Sequence, residues 1–497
     1  MEFDFDRLLE KKYAPYAILL FFALFFYALI HIFSGEFGLA AHNWYNNYSR
    51  QAYSWLQGRL DLPYNRPYLE IAFFPYYGGR MYISFPPFPS MFLLPFVFFY
   101  GYNTPDHIIA LGLAIVTNIY AYKIALRLLK DKKLALFFAL FLTLGTNYLH
   151  ISLWGAVWWL AQNMGFTLLL ISIYYAISEN RKHSIISLLA LCASMGCRPF
   201  NTFYVPIILL LIYKREEGNF FTIARRIMLY AIPAIMLGAV YMTLNYVRFG
   251  SIFEFGHNFL PEHTIDPLGQ FHPSRVVHNF SMMLFGLDMT YGIRNGFPHE
   301  GRTTFAFWLA SPMFVSFVGY QIAYWNRKKD ETDHGEMTKE RYIENFLILL
   351  APILVFIHIF AFSFHRTLGG RQFGSRYVAD ALPIIFLGLL LMVNKLNTVA
   401  KKPVEKSAEE TAEAEEMAET TLILYEPEDV GNQEEAEHLD NEEHGPQNIA
   451  VPAPAIAEPR RGINKHIIYN IIPMLFGALI NFHGTIVFLT FYFPFHH

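Results

Sequence analysis

Twenty residues in succession, APYAILLFFALFFYALIHIF at 14–33, carry no lysine, arginine, aspartate or glutamate. A run of that length calls for a hydrocarbon core, because about 20 apolar residues in a helix span the roughly 30 Å of a bilayer and the helix satisfies its own backbone groups. Ten further apolar runs lie at 106–128, 134–150, 157–177, 183–196, 199–213, 227–246, 304–325, 342–364, 381–397 and 466–494, so about eleven crossings are predicted. The whole chain agrees, since 54% of its 497 residues are hydrophobic and only 16% are charged, which excludes an ordinary soluble domain. The runs 183–196 and 199–213 are short and separated by GCRPF, which predicts two helices meeting at a tight bend.

Basic clusters mark cytoplasmic helix ends. Here they are LLEKK, LLKDKK, ENRKH, YKREE, ARRI, NRKKD, AKKPVEK and EPRRGINK, and all can be placed on one side. That placement allows a single crossing between 34–85 and Lys130, although SMFLLPFVFFYG also lies there. This run is short, follows FPPFPS and contains Pro95, so it is expected to be re-entrant or interfacial, an ordinary helical hairpin being the alternative. The N-terminus is then cytoplasmic, with Arg7, Lys11 and Lys12 before a retained first helix that shows no small-residue cleavage site. The stretches 34–85, 151–156, 247–303 and 365–380 face outward, and the GCRPF bend lies on the same side. Within AHNWYNNYSRQAYSWLQGRL, the positions Tyr45, Tyr48, Ala52, Trp55 and Leu56 fall on one helical face and predict an amphipathic helix at the outer interface. The expected organisation is a membrane domain over 1–402, an acidic disordered cytoplasmic linker over 403–463, and a last membrane helix in 464–497.

Charges near the bilayer need a reason. The stretch GGRQFGSRYVADALP at 369–383 holds Arg371 and Arg376 five apart across Gly374, with Tyr377 and Asp380 following. Guanidinium forks match phosphate oxygens, so a loop that grips a lipid phosphate is one reading; pairing with Asp380 or with lipid headgroups is the other. Arg198 in GCRPF has no acid near it in sequence and could close on the same ligand. Arg248 begins the next outer stretch, with Glu254 and His257 after it, and an Arg248–Glu254 pair is its expected ordinary role. A base or metal ligand on the outer side has to come from Glu36, Asp61, Glu70, Glu254, Glu262, Asp266, Asp288, Glu300 and Asp380, or from His42, His257 and His263. For each carboxylate a solvated loop position is the default. Asp61 is the chosen acceptor-side base, with Glu70 as its companion. No HExxH, CxxC, P-loop or dinucleotide fingerprint is present, and Cys192 and Cys197 signal neither a disulfide framework nor a zinc site. No cofactor is certain, a divalent cation stays open, and the metal ligands are unassigned.

Four stretches together resemble the polytopic GT-C glycosyltransferases of the family 39 and dolichyl-phosphate-mannose protein mannosyltransferase type. They are YSRQAYSWLQGRLDLP with GGRMYISFPPFPS, ASMGCRPFNTFYVPIILLL, NYVRFGSIFEFG, and GGRQFGSRYVADALP. The resemblance implies an all-α polytopic membrane fold and an inverting transfer of a sugar from a polyprenyl-phosphate donor to a lipid, glycan or protein acceptor at the outer face of a prokaryotic plasma membrane. It implies donor-phosphate contacts from Arg371 and Arg376, assisted by Arg198, with Tyr377, Asp380, Glu254 and His257 lining the substrate site. Membrane lipids are expected partners and nucleic acid is not. The chain departs from the pattern at the start of the interfacial helix, where the usual acid is replaced by Trp44 and Tyr45, with His42 and Asn43 the nearest polar groups. The competing classes are a transporter or lipid flippase, which would also use broken helices and membrane arginines, and a non-catalytic membrane scaffold.

Overall fold

A computed structural model describes residues 5–33, 42–63, 71–74, 79–288, 293–294, 297–298, 304–330, 338–369, 373–397 and 465–492. The chain divides into two compact units, 1–394 with 466–497, and 395–465. Nearly all of the second unit, including the acidic segment 403–463, lies outside the described residues. Glu36, Glu70, Glu300 and Arg371 also lie outside them.

The first unit is an integral membrane bundle. Among the described residues, seven helices are long and apolar enough to cross a bilayer: Ala14–Phe33, Asp106–Leu129, Val157–Ala176, Ile232–Phe249, Lys339–Ser363, Val378–Asn397 and Lys465–Ile486. The other four expected crossings are built differently. Lys132–Leu144 is followed by the one-turn helix Tyr148–Ser152, His183–Met195 leads through the 3-10 turn Pro199–Tyr204 into Val205–Arg215, and Met313–Asp330 carries a polar end. At 1.5 Å per residue a 13-residue helix reaches only about 20 Å. Lys132–Leu144 tolerates this because most of its length from Leu134 onward is buried among other helices, so protein rather than lipid surrounds it. Asp131 caps its start, accepting from the Lys133 and Leu134 N–H groups at 2.8 and 3.0 Å.

Val378–Asn397 is the central helix, with 89% of its apolar window buried. Its Leu382, Ile385, Phe386, Leu389 and Leu390 are fully enclosed within the main core. That burial fixes the start of the helix, and with it Asp380, at one end of the bundle.

The same end holds the irregular segments. The helix Phe88–Tyr100 is 13 residues long and packs beside the helix Asn47–Leu56. Ser90 Oγ donates to Gln51 Oε1 at 2.8 Å near one end of it, and Asn46 Nδ2 reaches the Tyr102 carbonyl at 2.6 Å beyond the other. Phe92, Phe96, Phe98 and Phe99 are left exposed, as a lipid-facing surface requires. The Asn47–Leu56 helix differs from a simple interfacial helix: Tyr48 and Ala52 are buried as the spacing predicts, yet Leu56 is exposed and the polar Asn47, Ser49, Arg50, Gln51 and Ser54 are buried as well. Ser49 and Gln51 bond to Asp106 and Ser90 on neighbouring segments, and a polar side chain that finds a protein partner need not face water.

Candidate functional site

Arg198 and Asp380 are 182 residues apart and form an ion pair at the end of the bundle. Both Arg198 Nε and Nη2 donate to Asp380 Oδ2, at 3.0 and 2.6 Å. Gln162 Nε2 donates to Oδ1 at 2.6 Å and also to the Arg376 carbonyl at 2.7 Å. The Tyr204 hydroxyl holds the Asp380 carbonyl at 2.6 Å. Sequence puts these groups together for a local reason at each point: the Arg198–Pro199 step forces an extended residue before the turn, with Arg198 at φ −141° and ψ 105°, and the Val378–Ala381 turn starts the central helix. The Asp380 side chain is 4% exposed and that of Arg198 17%, so the arginine is the accessible partner. Among the described residues its Nη1 makes no hydrogen bond.

Arg376 is buried and enters from the next turn. Its Nη1 donates to the Trp158 carbonyl at 3.2 Å and its Nη2 to the Gly369 carbonyl at 2.9 Å. The Tyr377 ring links the two arginines: each guanidinium carbon lies 5.3 Å from its centroid, so they are within twice that distance of each other. Phe362 stacks on Tyr377 at 4.8 Å, and Trp159 stands 5.4 Å from the Arg376 guanidinium. Gly374 lets the chain reach this point. It has φ +71°, and a Cβ there would come within 2.6 Å of Asn147 Nδ2.

Of the residues chosen from sequence, Arg198, Arg376, Tyr377 and Asp380 are brought together. The Asp380 partner is Arg198, so the acid missing from the GCRPF neighbourhood is supplied from the far end of the chain. The expected Arg248–Glu254 pair is not formed. Arg248 is 1% exposed and turns back on its own helix, donating to the Leu244 carbonyl at 3.2 Å and Asn245 Oδ1 at 3.1 Å. Glu254 instead closes its own turn, accepting from the Gly256 N–H at 2.6 Å and from Asn258. Each residue bonds to groups within a few positions of itself, so the two do not meet. Asp61 pairs with Arg59 at 2.8 Å beside the Leu62–Met81 bridge, and that hydrogen bond holds its carboxyl below the usual range. His257 donates from Nδ1 to the Ser84 carbonyl at 2.7 Å.

Sequence reasoning passed over Gln162, Tyr204, Trp158 and Asp106. Gln162 sat inside an apolar run, and one buried amide in a crossing is the signal that could have marked it. Asp106 was absorbed into the start of a crossing. It supplies an acid at the front of the Asn47–Leu56 helix, accepting from Ser49 Oγ at 2.9 Å and from the Asn43 N–H at 3.3 Å. Gly155 packs so tightly there that a Cβ would fall 2.4 Å from the Asp106 Cβ.

No protein-family model and no curated protein matches the sequence. Two solved structures are similar over 75% of this chain, both of ArnT from Cupriavidus metallidurans. The crystal structure bound to undecaprenyl phosphate aligns with a TM-score of 0.44 and the apo crystal structure with 0.41, each at 13% identity. The chain spans about three fifths of their length, 60% and 59%.

Proposed function

We propose that this chain is a membrane glycosyltransferase that takes a sugar from a polyprenyl-phosphate donor and passes it, with inversion, to a lipid, glycan or protein acceptor on the outer face. The observation that carries the reading is the convergence of Arg198 and Arg376 on the Tyr377 ring at one end of the membrane bundle. Two guanidiniums held by an acid, two carbonyls and aromatic faces are preorganised for an anion whose charge grows during reaction. The donor phosphate supplies that charge: an acceptor hydroxyl oxygen bonds to the anomeric carbon, the bond from that carbon to the phosphate oxygen breaks, and the phosphate leaves with the electron pair. The hydroxyl proton passes to a base. Asp61 and Glu70 are the residues we assign to be tested for that role, and Arg371 joins the phosphate contacts on the strength of the sequence resemblance. Glu254 and His257 are the acceptor-side lining in this proposal, and the side bearing the site is the outer one by the distribution of basic clusters.

The test is a panel of labelled polyprenyl-phosphate sugars incubated with purified protein and membrane lipid. Arg376→Lys keeps the charge and loses the planar fork, so partial loss of transfer per folded molecule is expected, and Arg376→Ala should cost roughly a hundred- to a thousandfold. Asp61→Asn and Glu70→Gln belong in the same assay. Movement of the lipid across the bilayer without sugar transfer would sink the proposal in favour of a flippase.

A further inference from the structure

Three imidazoles meet beside the Arg198–Asp380 pair. His257 comes from the turn after Gly256, His263 from the short Pro261–Thr264 helix, and His365 from the residue pair that follows the Lys339–Ser363 helix. One ring nitrogen from each lies within 4.8 Å of the others. The rings of His257 and His263 have centroids 5.7 Å apart, as do those of His263 and His365. His263 and His365 are each 5% exposed.

For His257 and His365 the Nδ1 lies against a carbonyl, as in metal sites, where a ligating histidine turns its other N–H to one. His257 Nδ1 donates to the Ser84 carbonyl, and His365 Nδ1 lies 2.8 Å from the Thr367 carbonyl. The His257 bond leaves its Nε2 for the shared space, and the Nε2 of His365 faces the Gln270 side-chain nitrogen at 3.0 Å. An amide nitrogen does not ligate a metal, so Gln270 turns away, or turns its oxygen in, when the ion enters. Arg275 and Arg366, the nearby cations, are turned to Asp266 at 2.9 and 2.8 Å. Backbone geometry supports the approach: Gly256 has φ +99°, and a Cβ there would sit 2.8 Å from the Phe249 ring and 3.0 Å from Ser84 Cα.

We propose that His257, His263 and His365 form a binding site for a divalent ion of the zinc class, which fastens the 251–272 segment to the turn carrying His365. A set of three imidazoles with no carboxylate suits zinc, cobalt, nickel or copper and not calcium or magnesium, which prefer oxygen. Tetrahedral zinc with bonds of about 2.0–2.1 Å sets its nitrogens roughly 3.3 Å apart. The three rings therefore close by rotation about their side-chain bonds when the ion enters. The site touches the proposed phosphate centre through one ring, since the His365 and Tyr377 centroids are 5.5 Å apart. Metal binding would thus hold the Tyr377 face on which both arginines converge.

The full chain, purified in detergent with a tag free of histidine and stripped by a chelator, is titrated with cobalt(II). One ion per chain is expected, with the visible ligand-field bands of a low-coordinate imidazole site, displaced by zinc. Removing a ligand should cost more than the ten- to hundredfold in affinity typical of losing an outer partner. So His263→Ala and His365→Ala should abolish the bands, and His278→Ala, on an exposed ring outside the cluster, should leave them unchanged. If either buried variant fails to fold, His257→Ala, at the partly exposed edge, carries the same expectation. Zinc should also slow proteolysis within 251–272 in the parent protein only. Bands that survive all three substitutions, or no bands in the parent, would overturn the proposal without bearing on sugar transfer.

Discussion

Asp380 is saturated: Arg198 occupies one carboxylate oxygen, Gln162 the other, and Tyr204 the main-chain carbonyl. An acid so engaged fixes Arg198 in place. Asp380→Asn therefore leaves a largely buried guanidinium unmatched, and breaking such a pair costs about 3–5 kcal/mol. Thermal unfolding in detergent should show it, and the double change Asp380→Asn with Arg198→Met should recover part of the loss. Gly374 offers a second test at this scale. Gly374→Ala combines a left-handed backbone with a clash on Asn147, for a cost of about 1–3 kcal/mol. Adding Asn147→Ala should relieve the clash and leave the backbone strain, which a double-mutant cycle would read as a coupling between the two positions.

Elements meet at the site end through main-chain latches. The 363–366 turn is tied to the 266–279 segment by the His272 N–H on the Phe364 carbonyl at 2.9 Å and the Arg366 N–H on the Gln270 carbonyl at 2.7 Å. Asn279 reaches the Ser363 and His365 carbonyls at 2.9 and 2.8 Å. Asp266 bridges Arg275 and Arg366 across the same seam. The Leu268 N–H and then the two arginines hold its carboxyl below its ordinary 3.8. A depressed folded pKa means that its contribution is present above the unfolded value and is lost as the pH falls below 3.8 through the folded one. Limited proteolysis by an acid-active protease should accordingly find the 266–279 segment more open as the pH drops through that window. Asp266→Asn should show the opening at neutral pH. An unchanged cleavage pattern in the variant would assign the latch to the backbone bonds alone.

At the scale of the molecule, sidedness decides whether the site can reach an outer-face donor. The basic clusters predict residues 34–85 and 247–303 outside and 403–463 inside. A cysteine introduced at Asn103, which is exposed just past the Phe88–Tyr100 helix, should be labelled from the outer side by an impermeant reagent. Labelling from the cytoplasm alone would reverse the assignment of that helix. By composition the acidic segment is too polar to form a core, and the basic clusters predict it on the cytoplasmic side. Replacing 405–455 by a neutral flexible linker should leave sugar transfer intact. Loss of transfer in a normally inserted protein would make the segment a regulator.

The sequence by itself determined the membrane class and where seven of the spans lie, because burying 20 consecutive apolar side chains leaves few alternatives to a lipid-crossing helix. It also marked the bend at Arg198, where proline restricts the backbone locally. Only tertiary structure decided which charges meet. Arg248 lay six residues from Glu254 and bonded elsewhere, whereas Arg198 found Asp380 across 182 residues. Gln162 and His365 gained their places the same way, through helices whose packing is set by the whole core. Pairing at such separations is a property of three-dimensional packing, and hydropathy along the chain carries no record of it.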